Sequence, residues 1–217
     1  MTCRQDCVYT CAMLTRRIPS IRSVVLLICT LLPLGVAHAD WLVLQRVTDA
    51  DGSTRPAYSW VGSSRFRYDD GRIAVIADLE AGRVHLLDHA HKTRTTRHLA
   101  TSAAPPLRAF TPEGGGRFQD WAFNRYVLVK DRNLIEVGTS TDVDATLTRH
   151  YRTMLSAIGA GADNRILELP GFPLWTTLRD RDTGELLGRR ETVSIVKRTA
   201  YPATYRIPGE YRTIDPE

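Results

Sequence analysis

The chain has 217 residues, and its 29 Lys and Arg against 24 Asp and Glu give a formal net charge of +5 at pH 7. Four of the basic residues and one acid lie in the first 39 residues, so residues 40–217 carry 25 basic and 23 acidic residues and a net charge of +2. Charges of both signs are interspersed along that part, which excludes the basic footprint of a nucleic-acid-binding protein. Its length is sufficient for one domain with a sizeable hydrophobic core.

The first 39 residues have the three parts of a secretory signal peptide. Arg16, Arg17 and Arg22 precede an apolar run from Val24 to Val36, and Ala37-His38-Ala39 is a small-residue cleavage site. The apolar run is shorter than the ~20 residues of a spanning helix, which argues against a transmembrane anchor. We therefore predict cleavage after Ala39, a periplasmic location, and a mature protein that does not span the membrane.

The leader also contains a second methionine and all four cysteines of the chain. Met13 begins a compact signal of its own, so we interpret the first twelve residues as an overextended start. All four cysteines precede residue 40, at positions 3, 7, 11 and 29. The mature chain is therefore expected to contain no disulfide and to use no thiolate chemistry.

Alternating apolar and polar residues predict an antiparallel meander in the first half of the mature chain. Trp41–Val47 and Arg55–Val61 are expected to form the first two strands, and Arg65–Leu99 three or four more. Gly71 and Gly82 lie in the turns between them, where glycine supplies the positive φ that a hairpin needs. Gln45 and Arg46 are expected to face solvent.

The amino-acid composition changes after Leu99. Proline and glycine are frequent between Ala100 and Gly116, which favours a loop. The following segment, Phe118–Val137, is ambiguous. Within it, Gln119–Arg125 is compatible with a short helical turn, and Tyr126–Val129 favours a strand.

One long helix is predicted from Val143 to about Ile158, with Asp142 as its N-cap and Asp144 in its first turn. Its apolar residues recur at helical spacing and consist of Leu147, Tyr151, Met154, Leu155 and Ile158. Such a stripe has to be buried, and the apolar face of the sheet is its obvious partner. Strands are expected to resume at Arg165–Leu169, Leu174–Arg179, Glu185–Arg190 and Thr192–Thr199, before a short edge segment at Tyr205–Tyr211.

Several short motifs occur in a fixed order along the mature chain. They are Arg65-Phe66-Arg67, the hairpin Leu86–Thr93, Gly171-Phe172-Pro173-Leu174, Val193-Ser194-Ile195 and the ending Tyr205–Tyr211. Together with the opening Trp41 strand, they resemble the uncharacterised exported proteins related to the LolA/LolB fold, the carriers of outer-membrane lipoprotein sorting. The resemblance implies an α+β fold, in which helical segments cover the concave face of a curved, half-open antiparallel β-sheet. It also implies that residues 40–217 form a single LolA-like domain.

The resemblance further implies that the space between sheet and helix holds a lipid or a lipoprotein acyl chain. The candidate cavity residues are Trp41, Trp60, Phe66, Trp121, Leu147, Tyr151, Met154, Ile158 and Trp175. A buried methylene contributes roughly 0.8 kcal/mol, so an apolar trough suffices without catalytic groups. The alternative is that these side chains pack against one another, as the filled core of a structural or protein-interaction module of the cell envelope.

No motif in the mature chain indicates a reaction. His85, His89 and His91, with His98 beyond, are zinc-ligand types, but the segment that ends at His91 is typical of a polar turn. There is no G-x-S-x-G nucleophile motif, and the paired acids lie at turns. We therefore expect no metal, no cofactor and no enzymatic activity. The expected partners of this monomer are a lipid or an envelope protein.

Overall fold

A computed structural model describes residues 40–99, 104–159 and 164–214. The predicted signal peptide, its cleavage site at Ala37 and Ala39, and the second candidate start at Met13 lie outside these residues. Within the described residues, regular structure consists of twelve β-strands, one α-helix and two short 3₁₀ helices.

The strands have the following bounds in chain order. The first six are β1 Asp40–Asp49, β2 Thr54–Val61, β3 Arg65–Asp69, β4 Ile73–Asp78, β5 Arg83–Asp88 and β6 Thr93–His98. The next three are β7 Gly114–Phe118, β8 Trp121–Lys130 and β9 Asn133–Ser140, and helix α1 follows at Ala145–Ile158. The chain ends with β10 Phe172–Asp180, β11 Leu186–Arg198 and β12 Arg212–Thr213, and its 3₁₀ helices are Asn164–Glu168 and Pro202–Tyr205.

The described strands form a single sheet in the order β12-β6-β5-β4-β3-β2-β1-β11-β10-β9-β8-β7. Strands β1 to β6 are successive antiparallel neighbours, as are β7 to β11, where α1 and the first 3₁₀ helix connect β9 to β10; the pairing of β1 with β11 joins the two series. Neighbours pair antiparallel except β12, which runs parallel to β6. The sheet is therefore mixed, and the two halves of the chain meet at its centre.

The predicted α+β fold, with helical segments covering a LolA-like sheet, was wrong. The protein is mostly a large twelve-stranded mixed sheet, with one 14-residue helix on it. Part of the error lies in the segment interpreted as compatible with a helical turn, because β7 and β8 form a hairpin there. Gln119 has a left-handed φ of 53° between Phe118 and Trp121, so it turns the chain between two strands.

The meander predicted for the first half is confirmed. Gly71 and Gly82 have φ values of 80° and 63° in the turns that follow β3 and β4. Side chains alternate as expected, because Ala77 belongs to the core cluster beneath the helix while Ala74 and Ile76 pack on the other side of the sheet. Period-two spacing therefore gave the correct face for these strands.

The predicted helix is present, although its cap differs. Asp144, and not Asp142, is the N-cap, and its Oδ1 accepts hydrogen bonds from the backbone N–H of Thr146 (2.7 Å) and Leu147 (3.3 Å). Asp142 instead accepts a hydrogen bond from the backbone N–H of Ala122 at 3.0 Å, and so connects the helix entry to β8. The helix ends at Gly159, whose φ of 65° is the left-handed conformation of a C-cap.

Two expected strands are not strands. The predicted strand at Arg165–Leu169 is largely the first 3₁₀ helix. Ile166 within it and Leu169 just after it both pack on the cluster formed by β8 and β9. The expected edge segment Tyr205–Tyr211 is irregular after the second 3₁₀ helix, and the edge pairing is made by β12 instead.

The two faces of the sheet are covered by different parts of the chain. On the helix face, defined by Trp41, Val43 and Phe66, α1 contributes buried side chains to one continuous core cluster. On the opposite face, the tail face, Ile207 and Tyr211 of the C-terminal segment pack against β4 and β5. No helix in the described residues is both long enough and apolar enough to cross a membrane.

Candidate functional site

A groove of about 520 Å³ lies on the helix face, beside the filled core. Helix α1, the first 3₁₀ helix and strands β1, β10 and β11 contribute to its walls. Its apolar side chains are Val47, Leu155, Ile166, Leu167, Pro173, Leu174, Trp175 and Leu178. This volume lies within the ~300–1,000 Å³ of small-molecule pockets, which are also mostly apolar.

A glycine contributes to the open volume of the groove. Gly188 lies in register with Asp49 on one side and Leu178 on the other, and all three line the groove. A Cβ added at Gly188 would meet only the backbone oxygen of Thr48, at 3.6 Å, and the backbone there is ordinary strand. The missing side chain therefore leaves space on the floor of the groove that a larger residue would occupy.

One part of the groove wall is polar and centres on Arg190. The guanidinium carbon of Arg190 lies 4.7 Å from the centroid of the Tyr68 ring, and its Nη2 donates to the Tyr68 hydroxyl at 3.3 Å. Burial raises the pKa of Tyr68 to about 12, and the charge of Arg190 opposes that rise. Burial also raises the pKa of the Tyr151 hydroxyl, again against the charge of Arg190. Both phenols therefore stay neutral at physiological pH.

Carboxylates near this polar wall are paired with arginines. Arg55 Nη1 lies 2.5 Å from Asp49, and its Nη2 lies 2.9 Å from Asp70. Arg72 adds a second contact to Asp49 at 2.7 Å. Hydrogen bonding to Arg55 lowers the pKa of Asp49, and for Asp70 burial raises the pKa but hydrogen bonds from Ile73 N–H and Arg55 outweigh it. Both carboxylates are therefore ionised and matched by cations.

Most of the predicted cavity residues fill the core and do not line the groove. Buried in one cluster are Trp41, Phe66, Leu147, Tyr151 and Met154. Partly buried against the same cluster are Trp121, Ile158 and Trp175. Of the nine candidates, Tyr151 and Trp175 line the groove.

Trp60 is separate from that cluster. It lies opposite Leu42 in the β1–β2 register, whereas the neighbouring Trp41 lies opposite Val61. Because side chains alternate along a strand, Trp60 is on the tail face while Trp41 and Val61 contact the helix side.

Among the lining residues that sequence reasoning did not assign to a cavity are the polar Gln45 and Arg190. The prediction that Gln45 faces solvent was wrong, because it is 5% exposed and its Oε1 lies 3.4 Å from the Ser59 hydroxyl. Strict alternation from Trp41 through Val43 would have assigned it to the buried face. No sequence pattern indicated that Arg190 lines a groove, since a lone arginine in a strand is usually solvated.

Three of the histidines considered as metal ligands, His85, His89 and His91, have partners of their own. His85 Nδ1 hydrogen-bonds with Thr96 Oγ1 at 2.9 Å, and His91 Nδ1 with Asp88 Oδ2 at 2.7 Å. His89 instead lies between Asp69 and Tyr211. In the part of the chain that the structure describes, no group of three or more metal-ligand side chains converges.

Comparisons with known proteins identify no family for this chain. No protein-family model and no curated protein matches it. Among solved structures, PNGF-II has a TM-score of 0.49 and 12% identity over 82% of this chain. An uncharacterized conserved protein from Thermus thermophilus has a TM-score of 0.49 and 11% identity over 89% of this chain and 99% of its own. The present chain spans about a third (32%) of the length of PNGF-II.

Proposed function

We propose that the protein binds a lipid or another hydrophobic ligand non-covalently in the groove between α1, β1, β10 and β11. The observation that carries the proposal is the open volume of about 520 Å³ with an apolar wall, next to a core that is otherwise filled. Each methylene moved from water into such a wall contributes roughly 0.8 kcal/mol. An acyl chain would therefore bind without any reacting group.

The proposed setting follows from the sequence. The predicted signal peptide would direct the mature protein to the periplasm, where a lipid or a lipoprotein acyl chain needs a carrier across water. The short motifs that resemble LolA/LolB-related proteins, such as those around Phe66 and Pro173, are the ground for proposing a part in lipoprotein sorting, and the fold that the same resemblance implied was wrong. The proposed role is non-enzymatic, and the protein would act as a monomer.

Ligand uptake by the purified protein tests this proposal. Native mass spectrometry and lipid extraction, after production of the full chain in cells, are expected to reveal a co-purifying acyl species, and a fluorescent fatty-acid probe is expected to bind. Gly188→Leu should reduce probe binding because its side chain occupies the groove floor, and Gly188→Ala should reduce it less. Gly209→Leu is the control, since a Cβ there meets nothing within 4 Å.

The proposal fails if the wild type carries no ligand and takes up no probe. It fails equally if Gly188→Leu binds the probe as well as the wild type does, with both proteins equally folded by circular dichroism. Binding that survives this substitution would have to occur elsewhere on the molecule.

A second candidate function is an interaction module of the cell envelope. Leu44, Val193 and Val196 on β1 and β11 are 39%, 41% and 43% exposed, which leaves apolar surface uncovered near the centre of the sheet. Exposed apolar surface of this kind can mark a protein-binding site when it forms a contiguous patch. A ligand-free mass together with no probe uptake would favour this module over carriage.

A further inference from the structure

Arg190 is an unneutralised cation in a largely apolar groove. It lines the groove and is exposed there, and its partners in the structure are the neutral phenols of Tyr68 and Tyr151. Within residues 40–99, 104–159 and 164–214, no carboxylate forms an ion pair with its guanidinium. Solvent screens this exposed charge in the free protein, but an apolar tail laid along the groove would exclude water and so strengthen the attraction of Arg190 to an anion.

The neighbouring carboxylates form their ion pairs with other arginines and not with Arg190. Asp49, the carboxylate that lines the groove, is held by both Arg55 and Arg72, and Asp70 is held by Arg55. Asp70 Oδ2 also accepts a hydrogen bond from the Tyr68 hydroxyl at 3.2 Å, so the carboxylate beside Tyr68 is already engaged by Tyr68 and Arg55.

The adjacent arginine of β11, Arg189, already has an acidic partner. Its Nη2 lies 2.5 Å from Glu191, so its charge is paired. The surplus positive charge of the groove is therefore that of Arg190.

We propose that the groove takes a single-chain amphiphile with an anionic oxygen headgroup, a carboxylate or a phosphate, which pairs with Arg190 while the tail lies along the apolar wall. This inference rests on the proposed function and names its ligand class. Arginine suits the role because its planar fork of donors binds two oxygens at once. Tyr68 holds that fork from one side by stacking and a hydrogen bond, which orders the guanidinium before a ligand arrives.

Arg190 lies between apolar and small residues that leave it accessible. In the β-sheet register its neighbours are Val47 on β1 and Thr176 on β10, and both line the groove. Leu174 and Leu155 line the same groove from β10 and α1. A headgroup at Arg190 is thus continuous with apolar surface for a tail, which is the pattern of an amphiphile site.

Competition with a neutral apolar fluorescent probe tests the inference. The competitors are a long-chain fatty acid, the fatty alcohol of the same length, and a lysophosphatidate of that length. Wild-type protein is expected to bind the anionic compounds about tenfold or more tightly than the alcohol, as for a hydrogen bond to a charged group. Whichever anion binds more tightly identifies the headgroup as carboxylate or phosphate.

Substitutions test whether the preference for an anionic compound over the alcohol depends on Arg190. Arg190→Gln should abolish the preference for the anion and leave alcohol binding unchanged, and Arg190→Lys should retain part of it. Arg46→Gln is the matched control, because it removes the same charge from an exposed position of β1 that alternates away from Val47. It should keep the wild-type preference.

The outcomes separate the two proposals. Equal binding of acid and alcohol by the wild type overturns the anionic headgroup while the groove remains a hydrophobic site. Failure of all three compounds and of the probe overturns the proposed function itself. An equal loss in Arg46→Gln and Arg190→Gln would show a long-range charge effect and also overturn the inference. If Arg190→Gln does not fold, the wild-type comparison of acid with alcohol still decides whether the groove prefers an anionic headgroup.

Discussion

Tyr211 hydrogen-bonds through its hydroxyl with Nδ1 of His89, 122 residues earlier in the chain. The other ring nitrogen of His89 lies 3.1 Å from Oδ1 of Asp69, so the histidine bridges the C-terminal segment to the end of β3. The ring of Tyr211 is also buried, at 6% exposed, against Ile76 and Leu87. The C-terminal segment is therefore part of the fold and covers the tail face of the sheet.

Tyr211→Phe tests this attachment. The substitution keeps the ring contacts and removes the hydroxyl, so we expect a loss of about 1 kcal/mol in the free energy of unfolding, the usual net value of one hydrogen bond. Limited proteolysis should also cut the C-terminal segment sooner. Tyr201→Phe is the control, because Tyr201 is 72% exposed, and it should behave as the wild type. Equal behaviour of the two variants would contradict the attachment.

Gly138→Ala tests the close packing of Trp175. A Cβ at Gly138 would overlap the indole of Trp175, whose ring lies directly over that backbone and 5.8 Å from the Phe123 ring centroid. Moving the indole should cost about 1–3 kcal/mol, as for other overpacked sites, and should change tryptophan fluorescence. Gly209→Ala, with open space around its Cβ, should leave both measurements unchanged. An unchanged stability of Gly138→Ala would show that the indole moves freely.

Asp144→Ala tests the helix cap. Loss of the hydrogen bonds to the N–H groups of Thr146 and Leu147 should destabilise the protein by roughly 0.5–2 kcal/mol in urea unfolding. Asp144→Asn should restore most of that loss, since asparagine caps helices almost as well. If asparagine rescued nothing, the charge of Asp144 and not its capping oxygen would be responsible.

Acid titration tests the paired carboxylates. Hydrogen bonds from Ile73 N–H and Arg55 outweigh burial and keep the pKa of Asp70 below its usual 3.8. The folded pKa is then the lower one, so the unfolded chain binds more protons. This stability is present above the unfolded pKa of about 4 and is lost as the pH falls through the folded value.

Urea midpoints measured between about pH 6 and about pH 3 should therefore fall steeply for the wild type. Asp70→Asn should start lower and fall less. Asp120→Asn, at an exposed hairpin turn, should fall as the wild type does. A wild-type slope in the Asp70→Asn protein would assign the acid sensitivity to other groups.

The sequence predicted the parts of this fold that local periodicity encodes. Alternation at Val75 and Ala77 predicted a strand and its helix-side face, although Ile73 at its start is exposed, and the spacing of Leu147, Tyr151 and Met154 defined the buried side of α1. Such patterns can be recognised in the sequence because each residue's position relative to its near neighbours determines the direction of its side chain.

Several features needed contacts between distant segments. Whether Arg165–Leu169 became a strand or a 3₁₀ helix depended on the cluster of β8 and β9 onto which it packs. The placement of Trp41 and Trp60 on opposite faces depended on the β1–β2 register.

The composition of residues 40–217, their lack of cysteine and their alternating strands were thus determined by the sequence alone. The single mixed sheet was decided by the tertiary structure, because the pairing of Asp40–Asp49 with Leu186–Arg198 joins strands from the two ends of the described chain. The groove and the position of Arg190 follow from the same pairing, which sets Val47 and Thr176 on either side of that arginine. Pairing between distant strands depends on the free energy of the whole assembled sheet, and no local pattern records it.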